Sequence, residues 1–186
     1  MHHLTLAEVH LDKGSHPSDP DKGCVMEWLS VFAEERTSDR KTDHPKCASP
    51  VLTAFAITFN DGLDDANRQR LIPFIPRLVG TSGNTKADNL RAWMAIDWLA
   101  RTYVPAFLRI AGLTEHADTL AGLAPLTSAA AAKKARPSLS AALSAADSAA
   151  YSAALSALEA TVKEVQESAF ALFDRMVDAG SKAAAA

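Results

Sequence analysis

Residues 138–180 read SLSAALSAADSAAYSAALSALEATVKEVQESAFALFDRMVDAG, with neither proline nor glycine before Gly180. Alanine is the best helix former, so this span predicts one nearly continuous helix over 139–177, the longest element of the chain. About 40 helical residues would extend ~60 Å. Leu155, Leu158, Val162, Val165, Ala169, Leu172 and Met176 recur at alternating spacings of three and four. This is a narrow heptad seam, which asks for a second helical surface. Phe170 and Phe173 widen the stripe towards its end, so packing should be tightest there, and the Ser-Ala-rich beginning should fray first.

Upstream, local signals describe further helices. Cys24 to about Arg36 carries Val25, Met26, Trp28, Leu29 and Phe32 on one wide apolar face. Ser49-Pro50 supplies a hydroxyl cap followed by proline at the first helical position, and Asn60-Asp61-Gly62 supplies a stop. Asp64 caps a third segment, kinked or split by Pro73 and Pro76. A fourth runs from Thr85, bends at Pro105 and ends at Gly112; a short one follows from Thr114 to Gly122. The fold class is therefore all-α: a compact domain of four to five helices with an irregular N-terminal arm, then a long alanine-rich C-terminal helix. The expected division is a compact domain over 1–126, a linker over 127–137 interrupted by Pro137, the long helix over 138–180, coiled-coil or folded back, and a frayed tail over 181–186.

The chain has 186 residues, a formal charge of -3 and 48% hydrophobic residues, much of the latter being alanine. That balance excludes broad electrostatic nucleic-acid binding, which needs clustered Lys and Arg. No apolar run approaches the roughly 20 residues needed to span a bilayer, and nothing at the start reads as a secretory signal. The expectation is a soluble cytoplasmic protein, with Cys24 and Cys47 as thiols or metal ligands rather than a structural disulfide.

The segments KGSH (13–16), GCVMEW (23–28), TDHPKCASPVL (42–52) and FNDGL (59–63) together resemble a group of alanine-rich hypothetical proteins of actinobacteria and their bacteriophages. The resemblance covers roughly residues 9–112 and extends to the kind of tail. It implies an origin and a shared fold, and carries over no catalytic residues. One departure is Glu34-Glu35-Arg36, where the group has a glycine; that bears on the turn alone.

His10, His16, Cys24, Glu27, His44 and Cys47 crowd the first 47 residues. Zinc takes thiolate and imidazole donors tetrahedrally, so His16, Cys24, His44 and Cys47 form a candidate zinc set, with Glu27 as an alternative ligand. No paired CxxC supports it, and the bland reading makes both cysteines small core residues. The same residues could serve a thiol enzyme, with Cys24 or Cys47 as nucleophile, His16 or His44 as base, and Glu27 or Asp43 as orienter. A cysteine at a helix start is expected to have a lowered pKa. However, there is no glycine-rich phosphate loop, GxSxG elbow or HExxH. Asp97, inside LRAWMAIDWLAR, is expected to pair with Arg101, Arg91 or Arg109. The three tryptophans read as core anchors, and Asn60-Asp61 as turn chemistry.

The leading expectation is a non-enzymatic helical protein that binds another protein, first of all itself, as a homo-oligomer through the C-terminal helix. The alternative is a small metal- or cysteine-dependent enzyme with its site around His16, Cys24, Glu27, His44 and Cys47.

Overall fold

The computed structural model describes residues 5–35, 40–149 and 155–183 of the chain. The fold class is all-α, and no strand occurs among the described residues. The helices are α1 (Val25–Phe32), α2 (Pro50–Gly62), α3 (Asp65–Arg68), α4 (Ile75–Leu78), α5 (Thr85–Trp98), α6 (Val104–Ile110), α7 (Thr114–Ala121), α8 (Ala129–Ala149) and α9 (Leu155–Ala183). Short 3-10 segments lie at Leu6–Glu8 and Gln69–Phe74.

Local chemistry starts and stops these helices much as the sequence implies. The Ser49 hydroxyl accepts from the Leu52 amide at 3.4 Å, with Pro50 at the first turn of α2. Asp64 caps α3 by accepting from the Asn67 amide at 2.9 Å. Pro73 sits in the 3-10 segment that separates α3 from α4. Helix α1 stops at Phe32, short of Arg36, in a turn where Glu34 has φ of 56°. There the Glu34 amide donates to the Val31 carbonyl at 3.2 Å and the Glu35 amide to the Ser30 carbonyl at 2.9 Å. These bonds are the reverse turn that normally ends a helix on glycine, here closed with Glu34 in the left-handed position.

Pro105 does more than bend the fourth helix. Leu99–Tyr103 form a π turn between α5 and α6, with the Val104 amide donating to the Leu99 carbonyl. The widened turn removes the clash that a proline ring makes with the carbonyl four residues back.

The chain forms two compact units, one of Met1–Asp88 with Phe173–Ala186 and one of Asn89–Leu172. This differs from the expected division into 1–126, 127–137 and 138–180. In the first unit, Val25, Met26, Leu29, Leu52, Leu71, Ile75 and Leu78 are buried. Phe173 joins them, with its ring 5.4, 6.5 and 4.9 Å from those of Phe55, Phe59 and Phe74. Arg77 adds ion pairs to Asp174 and Asp178, each at 2.7 Å. The end of α9 is thus core, not appendage.

In the second unit, residues expected as a linker are helical from Ala129, and Pro137 lies inside α8. Close packing accounts for this. Ala142 is buried with Leu108, Ala117 and Leu120, and Ala135 with Ala100 and Leu126, so small side chains let α8 approach its neighbours. One lost hydrogen bond at an exposed proline does not offset that contact. The expected helix over 139–177 appears as α8 and α9, with residues 150–154 outside the described residues; so are 184–186 of the expected frayed tail. Burial along the seam grows towards its end, as expected: Leu158 is 36% exposed, Val165 7%, Leu172 and Met176 0%.

Candidate functional site

Segments 23–28 and 59–63 lie in the first unit, and together with Gln69 they build a seat for the N-terminal arm. After the Leu6–Glu8 turn the arm is extended, with Val9 and Leu11 buried and His10 exposed between them. Gln69 holds Leu11 at both polar atoms: Oε1 accepts from its amide at 2.9 Å and Nε2 donates to its carbonyl at 3.0 Å. The Trp28 indole donates to the His10 carbonyl at 2.9 Å, and Asn60 Nδ2 to the Asp12 carbonyl at 2.9 Å. Asp61 Oδ1 accepts from the Gly14 amide at 2.9 Å. Asn60-Asp61 is therefore more than turn chemistry, because it fastens a segment 47 and 48 residues away.

Glu27 is fully buried. Its carboxylate accepts from the His16 amide at 2.7 Å, the Cys24 amide at 2.9 Å and the Ser15 hydroxyl at 3.1 Å. A buried carboxylate needs such donors, and these tie Ser15 and His16 to the start of α1. Lys41 closes the other side. Its ammonium donates to the carbonyls of Asp19 and Lys22 and lies 4.7 Å from the centre of the Trp28 ring. Burial holds its pKa below the usual lysine value, against the raising influence of Glu27, Asp19, Asp12 and Asp21. The sequence reading missed Gln69 and Lys41, because neither carries a local signal.

The candidate zinc set is not gathered. Among the described residues, no three His, Cys, Asp or Glu side chains form a group that could hold a metal ion. His44 is exposed and pairs with Asp43 at 2.8 Å. Cys47 is half-buried and hydrogen-bonded to Glu35, whose carboxylate also accepts from the Cys47 amide at 2.7 Å. Cys24 is buried at the start of α1. His16 is half-buried, with its Nδ1 buried and without a hydrogen-bond partner, while Glu27 is spent on its three donors.

The thiols also depart from the expected low pKa. Burial pushes Cys24 up to about 12, with the Glu27 charge adding to it. Cys47 is pushed up to about 11 by burial and by its bond to Glu35. A helix N-terminus favours a thiolate only where water or a cation shares the load, and at Cys24 desolvation wins.

In the second unit, Asp97 pairs with Arg101 one turn on, at 3.1 Å, and also accepts from the Leu126 amide at 2.8 Å. It is a brace. Beside it lie Ile96, Leu99 and Tyr103, exposed by 41, 47 and 38%. Their spacings of three and four, allowing for the π turn, put them on one face. Tyr103 contacts the rings of Trp98 and Phe107 at 5.4 and 4.8 Å, which fixes it in place. The signal in the sequence was a helix apolar on more sides than one core can cover. No helix among the described residues is long and apolar enough to cross a membrane. No protein-family model matches the chain, and no curated protein or solved structure does.

Proposed function

We propose that this is a non-enzymatic helical protein that works by binding a protein surface, a second copy of itself first of all. The observation that carries the reading is the exposed face of Ile96, Leu99 and Tyr103. Single exposed apolar residues are ordinary, but three on one helix face, with a rigid aromatic among them, are the composition of an interface. Two copies can pair such a face isologously, apolar against apolar. The seam of α9 is less suited to the task, since Val165, Ala169, Leu172 and Met176 are already buried within the chain. Raised thiol pKa values count against the cysteine-enzyme alternative, because the thiolate is the nucleophile.

Sedimentation at tens of micromolar tests the reading with Leu99→Asp beside the unaltered chain. Concentration-dependent association that Leu99→Asp removes, at an unchanged melting temperature, is the expected result. A parent chain that stays monomeric, or association indifferent to the substitution, overturns self-association through this face.

A further inference from the structure

We infer that the seat of the N-terminal arm is a docking groove for an extended peptide, and that it takes the arm of a second copy as well as its own. The reading goes beyond the apolar face of the second unit and uses a different surface. It rests on how the arm is held. The hydrogen bonds that Gln69, Trp28, Asn60 and Asp61 make to the arm all go to backbone atoms of residues 10–14. Such bonds recognise an extended backbone whichever chain supplies it. The two buried side chains, Val9 and Leu11, stand two residues apart with an exposed residue between them. Backbone bonding along the segment with apolar pockets for alternate side chains is how proteins bind extended peptides generally. Here the donors and acceptors stand on α1, α2 and the Gln69 segment, not on a sheet edge, so the groove is formed independently of the arm's own pairing. Gly14, with φ of 85° and open space around its α-carbon, is the point at which the arm can swing away. A second copy carries the same Val-His-Leu-Asp sequence and so the one ligand this groove is known to fit.

The arm in place competes at an effective concentration on the order of millimolar, so the groove is mostly filled from within. The test uses a fluorescent peptide of residues 5–14, TLAEVHLDKG, and full-length chains, read by anisotropy. Leu11→Asp in the chain removes the arm's main anchor and leaves every groove residue intact. That chain should bind the peptide at least about tenfold more tightly than the unaltered chain. Adding Gln69→Ala to it should weaken binding by about tenfold or more. Absence of peptide binding by a Leu11→Asp chain of intact helical content, or indifference to Gln69→Ala, overturns the proposal. Should Leu11→Asp fail to fold, amide exchange in the unaltered chain decides. Leu11 and Gly14 amides exchanging about tenfold or more faster than the Thr53 amide of α2 support an arm that opens by itself, and equal rates overturn it. Excess peptide should dissolve arm-exchanged association and leave association through Leu99 untouched, so the two proposals fail separately.

Discussion

Phe173 stacks on Phe55, ring centroids 5.4 Å apart and planes 22° from parallel, although 118 positions separate them in the chain. Phe173 is fully buried. Phe173→Ala should therefore lower stability by about 3–5 kcal/mol, the usual result of emptying a buried aromatic site. Urea unfolding checks it, and a change below 1 kcal/mol would place the end of α9 outside the core.

Arg77 predicts the contrasting case. It holds Asp174 and Asp178 at 2.7 Å and lies 5.1 Å from the Phe74 ring, but all three charged groups are well exposed. Arg77→Ala should cost about 1 kcal/mol, and less as salt is added. A loss as large as that of Phe173→Ala would make the ion pairs, not the aromatic cluster, the hold on α9.

Glu34 occupies a left-handed turn position that glycine enters without strain. Glu34→Gly should raise stability by about 0.5–1 kcal/mol, while Glu34→Ala, which keeps the β-carbon, should not. Thermal melts of the two variants decide it; equal effects would sink the argument.

Cys24 predicts an alkaline weakness. Its folded-state pKa of about 12 lies above the ordinary value of 9.0, so the folded state keeps a proton that the unfolded state releases. The stability this group contributes is complete below pH 9 and is lost as pH rises from 9 towards 12. Cys24→Ser retains a capping residue and removes the titration. The urea midpoint of the parent should fall between pH 8 and 10.5 more steeply than that of the variant, and parallel curves would contradict the buried thiol.

The parts legible in the sequence were those decided within a turn or two. Ser49-Pro50 starts α2, Asp64 caps α3 and Asp97 meets Arg101, because each outcome rests on neighbours along the chain. Pro137 misled because its local cost is real and only the packing of Ala135 and Ala142 outweighs it. Cys24 misled in the same way. Its place at a helix start was visible, but its burial is decided by the fold, and burial reverses the sign of the shift. The candidate ligands are not brought together, for a third reason. His44 and Cys47 stand three apart in sequence, yet each is committed to a neighbouring carboxylate, Asp43 and Glu35. Gln69 gave no signal at all, since its partner is a backbone unit 58 residues away.

That the first unit combines Met1–Asp88 with Phe173–Ala186 has a consequence during synthesis. A ribosome adding about 5–20 residues per second needs roughly 4–17 seconds to traverse Asn89–Leu172. Throughout that interval Phe55, Phe59 and Phe74 await the ring that covers them. The nascent chain thus carries an uncovered aromatic surface for seconds, a natural point for a chaperone to engage. A transcript cut short before codon 173 would leave that surface permanently bare and prone to aggregate.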